Sequence, residues 1–144
     1  MAIRNGLLAA FKEIQAALDA MDGLPDVNLN PLPPASAPFP ALFLFWDDEN
    51  LEMEGGDLNW IEPLNARAIF KVWLYVKSQQ PTEMVYQLME QVQLVKDAIK
   101  QATTDARGST PGWKGNVLKV EPLYGAEQRV WGAMQITIQI GEYL

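Results

Sequence analysis

The hydrophobic positions divide the chain into segments of two periods. Ile3, Leu7, Phe11, Ile14, Leu18 and Met21 recur at spacings of four and three, which is one stripe of an amphipathic helix. Ala9, Ala10, Ala16, Ala17 and Ala20 add helix propensity. Gly23 suits the position just past a helix end, and Pro25 blocks continuation, so the first helix is expected over residues 3–22. Val85, Leu88, Val92, Val95 and Ile99 repeat the helical spacing behind Pro81-Thr82-Glu83, which predicts a second helix over residues 82–103.

The other segments have strand character. Residues 39–46 (Phe-Pro-Ala-Leu-Phe-Leu-Phe-Trp) form an unbroken apolar run of strand length. Residues 65–77 alternate: Ala66, Ala68, Phe70, Val72, Leu74 and Val76 form a core face. Arg67, Ile69, Lys71, Trp73, Tyr75 and Lys77 form an amphipathic one. Residues 117–121 read as a short strand. Residues 128–143 alternate most clearly, with Val130, Gly132, Met134, Ile136, Ile138 and Ile140 opposite Trp131, Ala133, Gln135, Thr137 and Gln139.

Between these lie two irregular segments and one special one. Pro25, Pro31, Pro33, Pro34 and Pro38, with Pro40 just beyond, make residues 23–38 an extended, proline-rich crossover, or alternatively a proline-motif ligand for another domain. Residues 105–116 read as loop from their Gly, Pro and Ser content. In residues 47–62, two short alternating arms flank Gly55-Gly56, which predicts a β-hairpin. The expected architecture is one α+β domain over residues 1–144. It has a four-stranded, mostly antiparallel sheet, two amphipathic helices and a projecting acidic β-hairpin.

Charge sharpens that hairpin. The formal net charge is -7, from 18 acids and 11 bases. Asp47, Asp48, Glu49, Glu52, Glu54, Asp57 and Glu62 fall in residues 47–62 with no Lys or Arg among them. Removing these seven acids leaves eleven against eleven bases, so the whole net charge sits in this one segment. Scattered bases and an acidic balance argue against gripping a phosphate backbone. Lys71, Lys77 and Arg67 on an aromatic strand face are the weak exception, a face on which bases could stack.

Composition also narrows the chemistry. With no cysteine there is no disulfide, no thiolate nucleophile and no Cys-ligated metal. With no histidine, Ser-His-Asp and Cys-His catalysis are excluded within one chain. Residues 108–112 are glycine-bearing but follow a helix and lack the phosphate-loop close. The clustered carboxylates lack the calcium-loop pattern, and on a projection they would be screened by water rather than held in a cleft. A carboxylate-based, metal-dependent enzyme therefore stands as a minor alternative, and no enzyme activity, metal or cofactor is expected. The N-terminus lacks a signal-peptide pattern and no apolar run reaches membrane-span length, so a soluble intracellular product is expected.

The aromatic residues outside the core pattern are the remaining anomaly. Trp60, Trp73, Tyr75, Trp113 and Trp131 fall at positions expected to face outward, and Trp and Tyr are enriched at interfaces. Two arrangements account for them. One helix could pack on each sheet face and hide them, or a second copy could cover the outer face. The candidate subunit contacts are Trp60, Trp73, Tyr75 and Trp131. Asp47, Asp48, Glu49, Glu52, Glu54 and Asp57 form a candidate partner-facing acidic ribbon.

In element order the chain resembles the tail terminator (tail-to-head joining, or tail completion) proteins of long-tailed bacteriophages. The likeness lies in the opening helix at residues 3–21, the strand at 66–76 followed by the helix at 82–101, and the closing run Arg129-Val130-Trp131-Gly132-Ala133-Met134-Gln135-Ile136-Thr137-Ile138. It covers most of the chain as pattern rather than as a signature motif. The acidic ribbon is longer and more charged than that pattern requires.

The resemblance implies a virion protein, made in the host cytoplasm. It would form a hexameric ring on the finished tail tube, stop tube growth and meet the head connector. Genome DNA would pass through its lumen without specific binding. Alternatives are another neck, head-completion or tail-tube-like subunit, or a small cytosolic binding module.

Overall fold

The computed structural model describes residues 2–33, 36–52, 65–76, 80–106, 112–122 and 132–143. The chain is α+β. In order, the elements are α1 (Ala2–Asp19), β1 (Val27–Asn28), β2 (Ala41–Glu52), β3 (Asn65–Val76), α2 (Pro81–Ala106), β4 (Gly112–Pro122) and β5 (Gly132–Tyr143). Among the described residues the sheet has five strands in the order β1-β2-β3-β5-β4. Of their pairings, β1 with β2 is parallel and the other three are antiparallel.

Both helices lie on one face of this sheet. Ala10, Ile14 and Leu18 of α1 and Val92, Val95, Ala98, Ile99 and Ala102 of α2 are buried in a single cluster. They meet Leu42, Leu44, Ala68, Phe70, Val72, Leu74, Ile136, Ile138 and Ile140 from the sheet. Phe11 sets its ring edge-on to Phe70 at 5.2 Å. Each large apolar side chain withdrawn from water in this way contributes about 1.5–3 kcal/mol. The arrangement with one helix on each face is thereby excluded. Val85, expected in the buried stripe of the second helix, is instead 50% exposed, beside Tyr86 at 62% and Met89 at 66%.

The helix ends follow local chemistry. The last α-type bond of the first helix runs from Ala20 N–H to the Ala16 carbonyl, and a tighter bond joins Met21 N–H to Leu18. That tightening ends α1 at Asp19, three residues short of the expected end, and Gly23 takes φ +96°, a left-handed value that favours glycine, in the turn that follows. The Asp19 carboxylate accepts the Val27 N–H at 3.1 Å and ties β1 to the helix end. At the other helix, Pro81 occupies the first helical position, where its missing N–H costs nothing, and Glu83 sits in the first turn.

The sheet differs from the four-stranded expectation in three ways. First, β1 is a two-residue strand inside the proline-rich crossover, and it makes the sheet mixed. Second, β4 begins at Gly112, within residues expected to be loop, because β5 supplies the ladder that Gly-Trp-Lys-Gly-Asn does not favour locally. Thr103 of α2 reinforces that strand: its hydroxyl oxygen accepts the Gly115 N–H at 3.1 Å and its O–H donates to the Gly115 carbonyl at 3.3 Å.

Third, β2 continues through the acids to Glu52. The expected separate hairpin would have paired residues 51–54 with 57–61. Instead Leu51 and Glu52 register with Ala66 and Asn65, after a bulge between Trp46 and Asp48. Residues 53–64 of that segment lie outside the described residues.

Candidate functional site

Among the described residues, the face of the sheet turned away from the helices is only partly covered. Its first row is Ala41, Tyr75 and Ala133, from β2, β3 and β5. The crossover lies over this corner, with Leu32, Ala37 and Phe39 packed against Ala41, Phe43, Tyr75 and Ala133. Phe39 stacks on the Tyr75 ring at 5.0 Å, and Phe43 meets it edge-on at 5.4 Å. The Tyr75 hydroxyl donates to the Leu32 carbonyl at 2.7 Å, and burial pushes the phenol up to about 12.

Tyr75 is fully buried within its own chain. That removes it from the candidate subunit contacts. Its outward-facing strand position is covered by a segment that lies more than thirty residues earlier in the chain.

Three further rows follow along the same face. Phe43, Trp73, Gln135 and Glu121 lie in register across β2, β3, β5 and β4. Phe45, Lys71, Thr137 and Lys119 form the next row, and Asp48, Ile69, Gln139 and Asn116 the one after. Ile69, Lys71, Trp73, Gln135, Thr137 and Gln139 are neither buried nor fully exposed. The helices pack on the other side, so this half-exposed face carries the polar and aromatic side chains of the sheet.

The second row is bonded from Trp73 to Glu121. The Trp73 indole N–H donates to Gln135 Oε1 at 2.9 Å. Gln135 Nε2 donates to Glu121 Oε1 at 2.9 Å, and Glu121 Oε2 meets Lys119 Nζ at 3.1 Å. The Lys119 hydrogen bond is the main cause holding the Glu121 carboxyl below its usual range, opposed by some burial and helped by the Lys119 charge and the Gln135 bond. Phe45 meets the Trp73 ring edge-on at 4.8 Å. Lys71 pairs with Asp47 at 3.3 Å. The face is thus a preformed platform in which each of these polar groups already has an in-chain partner.

The sequence-derived candidates are distributed unevenly over this platform. Trp73 is at its centre. Asp47 is at its margin, with its carboxylate 40% exposed and bound to Lys71 rather than lone in an acidic ribbon. Asp48, Glu49 and Glu52 belong to β2 and pair through their backbones with β3. Trp60, Trp131, Glu54 and Asp57 lie outside the described residues. Gln135 and Glu121 were not singled out from sequence. Alternation placed Gln135 on the outer face, but only register reveals that it stands opposite Trp73.

Among the described residues no group of three or more His, Cys, Asp or Glu is placed to hold a metal ion. None of their helices is long and apolar enough to cross a membrane. No family model matches the chain, and no curated protein sequence matches it.

Proposed function

We propose that this chain is a structural, ring-forming virion subunit: a tail terminator that caps a phage tail tube and joins it to the head connector. The observation that carries the reading is the one-sided helix layer. Two helices cover one sheet face and leave the other with a bonded aromatic–polar platform centred on Trp73 and Gln135. A half-exposed Trp with fixed neighbours is the kind of group that becomes a contact in an assembly. Repeated head-to-tail contacts between such subunits close into a ring when the rotation permits.

In this reading the chain works by shape and association, not by catalysis. The ring is a hexamer made in the host cytoplasm and carried into the virion. Its flat surfaces meet the tail tube on one side and the connector on the other, and genome DNA passes through the lumen without base contacts. The acidic stretch from Asp47 onward, with Asp48, Glu49, Glu52, Glu54 and Asp57, faces a partner. A lumen poor in clustered cations offers DNA no counterion-releasing grip.

Adding the purified chain to polymerising tail-tube protein tests the proposal. Tube growth stops, and labelled chain is found at the head-proximal tube end. Tubes that grow to the same lengths with and without the chain contradict the reading.

A further inference from the structure

We infer that copies of this chain join by strand addition, the outer edge of β4 in one copy pairing with the outer edge of β2 in the next. The inference rests on the ring reading above and adds a backbone contact between subunits to the one at the Trp73 platform.

Among the described residues two sheet edges stand open. β4 is bonded to β5 alone. β2 pairs with β3 along its length, whereas β1 covers its outer side only at Leu42 and Phe43. Among the described residues no strand pairs with the outer side of β2 beyond those two positions, as far as Glu52. Such an edge is a template for another strand.

The strand directions suit that addition. Successive antiparallel pairings of β2 with β3, β3 with β5 and β5 with β4 leave β4 running opposite to β2. A copy placed beside β4 in the same orientation therefore offers β2 antiparallel to it. The alternation continues across the junction without turning either subunit over. Contacts of this heterologous kind either close a ring or extend a filament.

Charge selects the same pairing. Ala41–Glu52 carries Asp47, Asp48, Glu49 and Glu52 and no base. Gly112–Pro122 carries Lys114 and Lys119 against Glu121. A shallow groove of about 510 Å³ runs along the β4 edge, lined by Lys96 of α2 with Val117, Leu118, Lys119 and Val120. Lys96 is exposed, and the Lys119 side chain is 64% exposed. The acids of β2 keep two β2 edges apart, and Lys96 and Lys114 with the Lys119–Glu121 pair favour the mixed junction.

Lysine, a bulge and proline also serve to protect an edge from pairing, and β4 has all three, with its bulge between Val117 and Lys119. Leu118 at that bulge is 54% exposed, which leaves an apolar side chain on the edge for an arriving strand to cover. An acidic strand arriving at the edge covers Leu118 and meets the Lys96 ammonium and the Lys119–Glu121 pair beside it.

The absence of native cysteine gives a clean test. Leu118→Cys is combined in turn with Asp47→Cys, Glu49→Cys or Leu51→Cys in the full chain. Within one chain β2 and β4 are separated by β3 and β5, three strand spacings of about 4.8 Å. A disulfide needs Cα atoms within about 7 Å, so only two copies can supply the bond.

Oxidation is expected to give a ladder ending in a closed multimer for at least one double variant. Mixtures of single-cysteine chains are expected to give the mixed dimer and neither like dimer. A ring of normal mass with no mixed cross-link in any of the three variants overturns the edge pairing and leaves the ring reading standing. A species of one subunit mass for the unaltered chain overturns the ring reading and the pairing with it. Lys96→Glu with Lys119→Glu, still folded by circular dichroism, is expected to stop association. Mixing with Asp48→Lys, Glu49→Lys chains is expected to restore it, and association unchanged by the first pair of substitutions counts against the inference.

Discussion

Trp73 and Gln135 stand directly opposite each other on β3 and β5, and the indole N–H donates to the amide oxygen at 2.9 Å. This bond fixes the tryptophan ring, and through Glu121 and Lys119 it orders a row across three strands. Gln135→Ala removes the acceptor for Trp73 and a donor to Glu121 together. A net loss of about 1 kcal/mol in stability is expected, as for one ordinary hydrogen bond on a half-exposed surface. The denaturant midpoint measures it. Association is expected to weaken by more than this loss explains, which native mass measurement at matched folded fraction reads.

Tyr75 gives a prediction on the alkaline side. Its phenol is pushed up to about 12, whereas the unfolded chain titrates near the ordinary value of about 10. Between those values the unfolded state has lost the proton and the folded state has kept it. Stability from this group is therefore complete below about pH 10 and falls as pH rises toward 12. An absorbance titration should show a tyrosine component above the ordinary phenol range, and Tyr75→Phe should remove it. The same substitution leaves the Leu32 carbonyl without its donor and is expected to cost about 1 kcal/mol.

Gly132 is required by space. A Cβ at this position would lie 2.5 Å from Val76 Cγ2 and 2.6 Å from Met84 Cγ. The methionine can swing aside, but the valine is branched at Cβ and held in β3. Gly132→Ala is expected to destabilise the fold by about 1–3 kcal/mol, in the range of overpacked cores. Gly141→Ala, with nothing within 4 Å of its Cβ, is the matched control and should change the thermal midpoint far less.

Glu121 acts on the acid side. Its carboxyl is held below the ordinary range, chiefly by the Lys119 hydrogen bond, so the unfolded state takes up a proton at higher pH than the folded state. The group's contribution is present above the ordinary carboxylate pKa and is lost as pH falls through its lowered value. Carboxyl resonances followed by NMR should show Glu121 titrating below the ordinary glutamate range. Glu121→Gln should flatten the acid limb of the stability curve, by a small amount because the pair is exposed to water.

Much of the fold was legible because local period reports local structure. The stripes in α1 and α2 and the alternation in β3 and β5 each repeat within a few residues. What was not legible depends on partners far along the chain. β1 consists of Val27 and Asn28 among prolines, and it is a strand only because β2 lies alongside. Gly112 to Asn116 lack strand propensity and gain their ladder from β5 and two bonds from Thr103.

The same distinction runs through the site. Alternation put Trp73 on the outer face, where it is. It put Tyr75 there as well, but could not foresee that Leu32 and Phe39 would cover it. The acids from Asp47 to Glu52 read as a projection because nothing beside them in sequence balances them. In the fold, β3 continues to pair with them, and Lys71 supplies a cation for Asp47. Gln135 was invisible as a partner because register is a property of two strands.

The central claim is that this chain works as a ring subunit, and its mass in solution tests that most directly. Sedimentation of the full, unaltered chain from low to high micromolar concentration is expected to show a discrete species near six times the subunit mass, with no ladder of larger filaments. A single species of one subunit mass across the whole range contradicts the account.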